Sequence, residues 1–346
     1  MIASVNSAVP LPAGGFQRHQ LEESEELLDS EGALFEGANA DEQDLSIIEP
    51  DEPAESVDIF QEVLDGNDGE SNTEVLQLED FVIQMESSVP PMQVDTTFVH
   101  AIEQYLSSQE DSPSLHETRV IIDIHGRKQL IDAEDLSRLQ GPTRWLNNFC
   151  INGVATAIMK SLLSEEDIAR SALLDTLDLH RVQYGSDEAI LWHHLAPTEY
   201  WSKPLWLIPV HRRSQQHWVL AVVSVEEKLV FFYDSFAEVE GWEADFKDIA
   251  TLLSHMFALA AAHGHKINTK AATVPWSAHP LFHQNVPQQS NSHDCGVWVL
   301  CMLTAILRGY STVNIAEADI PYIRKLFTRL IYTFPRYVRK KRGDQR

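Results

Sequence analysis

The charge of this chain is divided so unevenly that only part of the chain can form a conventional hydrophobic core. Residues 1–118 contain 28 acidic side chains and a single basic one, Arg18, which gives a net charge of −27. Residues 119–346 contain 24 acidic and 25 basic side chains and are nearly neutral. A segment with high net charge and sparse apolar residues buries too little surface to offset the entropy lost on ordering. We therefore predict that residues 1–118 are an acidic, largely disordered tail.

The neutral part of the chain is long enough for one substantial core. Its apolar runs at 205–210, 217–223 and 229–233 are typical of three successive strands. Helices are predicted to start near Asp132 and to run over 146–163, 242–262 and 321–332. Helices on both sides of a central set of strands define an α+β fold. We place this domain at 119–335, followed by a basic C-terminal tail at 336–346.

The cysteine content favours a reducing compartment. The chain has three cysteines, Cys150, Cys295 and Cys301, and none of them forms a C-x-x-C pair. A sparse, odd set of this kind argues against a disulfide scaffold or a structural zinc site. No apolar stretch approaches the ~18–20 residues that a membrane span needs. We expect an intracellular protein without membrane contact. The basic run at 336–342 is typical of a nuclear localisation signal, so we expect the protein in the nucleus.

One cysteine lies where a polar turn meets a wholly apolar helix. Residues 288–296 read Gln-Gln-Ser-Asn-Ser-His-Asp-Cys-Gly, and residues 297–303 are all apolar. A helix that is apolar on every face is normally buried inside a domain. The free N–H groups and the dipole at its start stabilise anions, including a thiolate. Cys295 is therefore a candidate catalytic nucleophile.

A cysteine nucleophile needs a base and a group that orients the base. His217 begins one predicted strand and Asp234 ends the next, so pairing of these strands brings both to one edge of the sheet. A carboxylate at that place accepts a hydrogen bond from the imidazole and stabilises its charged form. An amide N–H donor to an oxyanion is available from Gln289 or from Gln288 beside it. Taken singly, each of these residues also suits a structural role.

The order of these motifs resembles the SUMO-specific (ubiquitin-like-modifier) cysteine protease family. The motifs that carry the resemblance are Trp-Leu-Asn at 145–147, His-Trp at 217–218, Asp-Ser at 234–235 and Gln-x5-Cys-Gly at 289–296. The resemblance covers residues ~119–334 and does not extend into the acidic tail.

The resemblance implies a papain-like α+β domain, and we expect no cofactor and no catalytic metal. It implies Cys295 as nucleophile, His217 as base, Asp234 as the group that orients the base, and Gln289 in the oxyanion hole. It also implies that Trp145 and Trp218 form a narrow slot over a diglycine tail, although core packing is the usual fate of such tryptophans. The expected reaction is hydrolysis of the bond after the Gly-Gly tail of a ubiquitin-like modifier, with SUMO as the favoured one.

Two departures from the family pattern concern the substrate and leave the expected reaction unchanged. Asn148 occupies a position where the family commonly has an acidic residue that pairs with a basic residue on the modifier tail. The interval between Asp234 and Cys295 is also longer than is usual in the family. The extra length includes the Ala-rich stretch and the loop at 258–265. Another ubiquitin-like modifier or a polyprotein site is therefore an alternative substrate.

An inactive protease-like adaptor is a further alternative, although an adaptor does not need four competent catalytic residues. A zinc enzyme is another alternative, but the histidine pairs that could supply ligands lack a H-E-x-x-H frame. These pairs are His193 and His194, His263 and His265, and His279 and His283. We expect a monomer whose partners are a SUMO-type modifier and its conjugates, with no direct binding of nucleic acid.

The acidic tail contains a short motif suited to docking. Leu45, Ile47 and Ile48 precede a run of acids within residues 45–52. Such a peptide can add as a strand to the exposed edge of a partner's sheet. We interpret it as a candidate site for binding a modifier, which would raise the concentration of that modifier near the active site.

Overall fold

The computed structural model describes residues 81–83, 93–109, 118–237, 242–269, 275–280 and 286–337. Within them, a six-stranded mixed sheet has the order β1-β9-β8-β7-β6-β5. Its strands are β1 Phe81–Ile83, β5 Ser171–Leu173, β6 Leu205–Arg212, β7 His217–Ser224, β8 Leu229–Tyr233 and β9 Trp276–Pro280. Strands β6, β7 and β8 are antiparallel neighbours, whereas β5, β9 and β1 are added in parallel. The three strands expected from the apolar runs are thus the centre of the sheet.

Besides the large sheet, the described part of the chain contains two smaller strand pairs, nine α-helices and four short 3-10 helices. Strand β2, Val94–Asp95, pairs in parallel with β10, Thr312–Val313, and β3, Arg119–Ile122, forms a hairpin with β4, Lys128–Ile131. The helices are α1 Phe98–Ser107, α2 Ala133–Gln140, α3 Asn148–Leu162, α4 Glu165–Arg170, α5 Asp178–Gln183, α6 Glu188–Leu195, α7 Trp242–Ala262, α8 Cys295–Leu307 and α9 Ile320–Tyr332. None of the helices among the described residues is long and apolar enough to cross a membrane.

The sheet separates two hydrophobic cores because side chains alternate between the faces of a strand. In β7, Leu220 and Val222 pack into the core that contains α8, whereas Val219 and Val223 pack into the core under α7. A central strand that is buried on both faces has a continuous apolar sequence, as β7 does. The sheet and its helices confirm the predicted α+β class.

Helix α8 is buried on nearly every side. All of its residues except Ile306 are buried, and Trp298 at its centre has no exposed surface. It packs against α3, β7 and β10. The sequence prediction of a fully buried helix that begins at the candidate nucleophile is thereby confirmed.

The folded part begins before residue 119, where the sequence analysis placed its start. Phe98, Ile102 and Leu106 lie on one face of α1 and are buried in the same core as α8. Asp95 is fully buried and forms an ion pair with Arg308, which follows α8. The average charge of the first 118 residues hides this local pattern, since an i, i+4, i+8 spacing is enough to build an amphipathic helix.

Candidate active site

Cys295 is the first residue of α8 and is 1% exposed. The side chain of Asp294, which precedes it, makes no capping hydrogen bond to the described helix backbone. Instead, Asp294 accepts hydrogen bonds from Arg324 at 2.7 and 3.0 Å and from Asn291 at 2.8 Å. A helix start without such a cap keeps its N–H groups available to an anion. The site therefore offers a sulfur and backbone donors at the same point.

The pairing of β7 with β8 brings His217 and Asp234 together. His217 is the first residue of β7, Asp234 follows the last residue of β8, and the two strands run antiparallel. The distance between His217 Nε2 and Asp234 Oδ1 is 2.7 Å, and both side chains are almost fully buried. The same carboxylate oxygen also accepts the backbone N–H of Phe236 at 2.9 Å. Asp234 is thus fixed by the turn in which it lies.

The electrostatics of the pair favour an imidazolium. Burial lowers the pKa of His217, but the hydrogen bond to Asp234 and the interactions with Cys295 outweigh it and raise the pKa to about 9. Burial also raises the pKa of Asp234, yet His217, the Phe236 N–H and Arg212 together bring that pKa below its ordinary value. At neutral pH the pair is therefore a carboxylate beside a protonated imidazole.

The second ring nitrogen of His217, Nδ1, is available to interact with the sulfur of Cys295. Nδ1 is buried and makes no hydrogen bond within the described part of the chain. The sulfur of Cys295 nevertheless lies near enough to the ring to contribute to its raised pKa. With Nε2 committed to Asp234, Nδ1 is the nitrogen that can exchange a proton with Cys295. This arrangement suits a thiolate–imidazolium pair.

Gln289 is held in one orientation beside this pair. Its side-chain Oε1 accepts the hydroxyl of Ser235 at 2.9 Å, and its Nε2 donates to the carbonyl of Asn291 at 2.7 Å. Its backbone N–H also donates to the Ser235 carbonyl at 2.9 Å. One Nε2 hydrogen is used in this way, and an amide carries two. The dipeptide Asp234-Ser235 therefore links the orienting carboxylate to the amide of Gln289.

The loop between Gln289 and Cys295 is fastened at several points. Asn291 Oδ1 accepts the N–H groups of His293 and Asp294 at 3.0 Å, and Glu317 accepts from Ser290 and Asn291. The guanidinium of Arg324, 1% exposed, donates to the carbonyls of Arg138, Arg144 and His293 besides Asp294. The start of α8 is thus tied to the loop that carries the first tryptophan motif.

Trp218 and Gly296 explain how the first tryptophan motif approaches Cys295. The indole N–H of Trp218 donates to the carbonyl of Leu146 at 2.8 Å, and the ring is 3% exposed. A Cβ at Gly296 would lie 3.0 Å from Leu146, 3.1 Å from Ile151 and 3.3 Å from Trp218. Only a glycine fits this contact without a shift. The close packing around Gly296 therefore explains why a glycine follows Cys295.

The remaining predicted binding residues lie along the same motif. Trp145 and Asn148 are half-buried, just before and at the start of α3. Asn147 caps that helix by accepting the N–H of Cys150 at 2.9 Å and donates to Asp135 at 2.8 Å. The asparagine of Trp-Leu-Asn thus has a structural task that the sequence analysis did not assign. The candidate docking residues Leu45, Ile47 and Ile48 lie outside the described residues.

Two of the histidines considered for a zinc site, His263 and His265, stack on tryptophan rings. His263 stacks on Trp192 at a centroid distance of 3.7 Å, and His265 stacks on Trp201 at 3.8 Å. Among the described residues, no group of three or more potential ligands is placed to hold a metal ion.

Sequence reasoning missed Arg212 and Asp245, which lie behind the His217–Asp234 pair. Arg212 is the last residue of β6 and its Cα is in register with that of His217. Its guanidinium contacts both Asp234 and Asp245. An arginine at a strand end is common, so the only available signal was its pairing register opposite the histidine.

The chain is similar in sequence to one known protein family and to several of its named proteins. Residues 186–336 match the Ulp1 protease family, C-terminal catalytic domain. Sentrin-specific protease 5 of Homo sapiens is 26% identical over 200 residues, which cover 57% of this chain and 23% of that protein. Sentrin-specific protease 8 of Homo sapiens is 24% identical over 220 residues, or 62% of this chain and 90% of that protein. The chain thus spans about a quarter of the length of the first relative.

Matches among solved structures include the C-terminal Ulp1 protease domain in complex with Smt3, the yeast ortholog of SUMO. That chain is 17% identical, with 72% of this chain and 98% of that chain covered and a TM-score of 0.47. The Chaetomium thermophilum Ulp1-like SUMO protease catalytic domain is 18% identical, with 71% and 94% covered and a TM-score of 0.46. The candidate residues His217, Asp234, Gln289 and Cys295 all lie within residues 186–336, the part of the chain that is similar to the Ulp1 protease family.

Proposed function

We propose that the chain is a cysteine isopeptidase that hydrolyses the bond after the Gly-Gly tail of a ubiquitin-like modifier, with a SUMO-type modifier as the favoured substrate. The observation that carries the proposal is the 2.7 Å contact between His217 and Asp234, with the other ring nitrogen left for Cys295. The relatives named sentrin-specific proteases support the choice of substrate class.

The proposed reaction proceeds through a thioester. The Cys295 sulfur attacks the carbonyl carbon of the terminal glycine, and the electron pair of the C=O bond moves onto its oxygen. The backbone N–H of Cys295 and the free Nε2 hydrogen of Gln289 would stabilise this oxyanion. Collapse of the intermediate breaks the C–N bond, and the imidazolium of His217 gives its proton to the leaving amine. The modifier is then held as a thioester on the sulfur.

Hydrolysis of the thioester restores the enzyme. His217, now neutral, accepts a proton from a water molecule as the water oxygen attacks the thioester carbonyl. The sulfur leaves as a thiolate, and the protonated His217 balances its charge. Asp234 keeps its negative charge throughout and orients the ring. A buried sulfur, 1% exposed, admits only a narrow substrate segment, and glycine residues meet that requirement best.

Asn148 favours a second candidate, namely the same chemistry on another ubiquitin-like modifier. An amide cannot form an ion pair with a basic residue on the tail of a modifier. A half-buried Asn148 at the start of α3 instead offers a neutral donor and acceptor. The Asn148→Asp variant should improve turnover of a modifier with a basic residue near its tail.

The test is hydrolysis of modifier–Gly-Gly conjugates by the purified full chain. We expect release of the modifier from at least one SUMO-type conjugate by the native chain and no release by Cys295→Ala. Cys301→Ser serves as the matched control, since Cys301 lies deeper in the same helix and is fully buried. Absence of turnover for every modifier would contradict the proposal, as would equal turnover by Cys295→Ala.

A further inference from the structure

Arg212 and Asp245 form a buried ion pair directly behind the proposed catalytic histidine and aspartate. Arg212 is 8% exposed, Asp245 is 7% exposed, and Asp245 lies in the first turn of α7. Arg212 Nη1 donates to Asp234 Oδ2 at 2.6 Å, and its Nε donates to Asp245 Oδ2 at 2.7 Å. The guanidinium therefore bridges two carboxylates, one beside the catalytic histidine and one on a helix.

The two carboxylate oxygens of Asp234 contact different side chains. Its Oδ1 faces His217 and the N–H of Phe236, whereas its Oδ2 faces Arg212. A carboxylate whose two oxygens are both engaged cannot rotate without losing a charged hydrogen bond. Arg212 is held in turn by Asp245, so the orientation of Asp234 depends on a residue of another element.

The cluster of Asp234, Arg212 and Asp245 carries a net charge that depends on all three side chains. Asp234 beside Arg212 alone would be a neutral pair, and a neutral pair gives little support to an imidazolium. Asp245 neutralises Arg212, so the three side chains together carry one negative charge. That single negative charge balances the positive charge of the protonated His217 ring. The cluster is almost fully buried, where charges act more strongly on each other than in water.

We propose that Arg212 and Asp245 are positioning residues that hold Asp234 against His217 and keep the charge behind the imidazole at one negative unit. They act through Asp234 and do not touch the substrate. The inference deepens the proposed function, on which its catalytic meaning rests.

Two other ionisable groups lie near His217. Cys295 faces the ring from α8, and His211 of β6 lies near it and contacts the ring of Trp218 in a tilted arrangement at a centroid distance of 4.6 Å. Burial lowers the pKa of His211 to about 4, so His211 is neutral at physiological pH. Asp248, one turn further along α7, contributes to the field at Asp245 and accepts a hydrogen bond from Gln183.

The experiment is an NMR titration of the His217 ring nitrogens in the full chain, since this readout needs no substrate. Asp245→Asn removes one negative charge from the cluster, so we expect the titration midpoint of His217 to fall by about one pH unit, a tenfold loss of proton affinity. Asp248→Asn is the matched control, because it removes the same charge from the same helix without touching Arg212. We expect it to leave the midpoint unchanged.

A double variant tests charge compensation directly. Adding Arg212→Gln to Asp245→Asn restores a net charge of minus one behind the imidazole. The midpoint should then return towards that of the native chain, and the neutral Gln–Asn pair should fold at least as well as Arg212→Gln alone. A midpoint that stays low in the double variant would overturn the proposal. So would a native midpoint in Asp245→Asn, or equal shifts in Asp245→Asn and Asp248→Asn.

Turnover adds a separate readout. If the proposed function holds, the alkaline limb of the pH profile of kcat/KM should move with the titration midpoint in Asp245→Asn. If no modifier is cleaved by the native chain, the proposed function fails while the titration still decides the role of the two residues. Should Asp245→Asn fail to fold, the titration of the double variant against Arg212→Gln decides it. Equal midpoints in those two variants would overturn the proposal.

Discussion

The glycine that follows Cys295 gives the sharpest prediction about how packing supports the candidate site. In Gly296→Ala, the new methyl group would lie 3.0 Å from Leu146 Cβ, 3.1 Å from Ile151 Cδ1 and 3.3 Å from Trp218 Cδ1. All three contacts are closer than ordinary van der Waals distances, and Leu146 presents the rigid base of its side chain. Leu146 or the helix start must therefore move by a few tenths of an ångström.

The expected magnitudes follow from two opposing effects. Overpacking of a close-packed core costs about 1–3 kcal/mol, whereas replacing a helical glycine by alanine gains up to ~1 kcal/mol. The net loss of unfolding free energy is therefore about 0–3 kcal/mol by these figures. The effect on catalysis should be larger, because displacements near 1 Å cost as much as ~10²-fold in rate. We expect kcat/KM to fall by ~10-fold or more for a smaller shift.

Gly153→Ala provides the matched control. Gly153 is also helical, and its added methyl would meet the flexible end of Ile131 at 2.5 Å, away from Cys295. Urea unfolding should show losses of similar size for the two variants, whereas the fall in kcat/KM should be confined to Gly296→Ala. Native activity in Gly296→Ala, or an equal loss in Gly153→Ala, would refute the packing argument.

Three further predictions concern individual side chains. Gln289→Ala should lower kcat by ~10²-fold or more, as loss of an oxyanion donor does; single-turnover kinetics near the native rate would show that its role is misassigned. Cys301→Ser should retain turnover, because this residue is buried inside α8 away from the reacting atoms; loss of turnover in a well-folded variant would contradict this. His217 has a raised pKa of about 9, so its stabilising effect is complete below pH 6.5 and disappears as the pH rises through about 9. Urea unfolding should show the free-energy difference between the native chain and His217→Gln shrinking by ~3 kcal/mol over that range; a constant difference would refute the pKa assignment.

The centre of the fold was predictable because its sequence signals are local. Three apolar runs separated by short polar turns form β6, β7 and β8. The proximity of His217 and Asp234 then follows from hairpin geometry alone, since antiparallel neighbours joined by a short turn return to the same edge. The buried helix α8 was predictable for the same reason, because all its faces are apolar.

The residues that support the site were not predictable in this way. Arg212 and Asp245 are 33 positions apart, and Arg324 reaches Asp294 across 30 positions. An ion pair of this kind has no local sequence signal, since any arginine on a strand end or helix is ordinarily a solvated one. Helix α1 lies inside the segment predicted to be a disordered tail, because the charge of its neighbours dominated the average over the first 118 residues.

The measurement that tests the central claim most directly is covalent labelling of Cys295 by modifier probes that carry an electrophile after the Gly-Gly tail. Probes of SUMO, ubiquitin and other modifiers are incubated with the native chain and with His217→Ala, and the adduct is located by mass spectrometry. We predict a stoichiometric adduct on Cys295 from a SUMO-type probe and its loss in His217→Ala. An adduct on another cysteine, or labelling of Cys295 that does not depend on His217, would contradict the account.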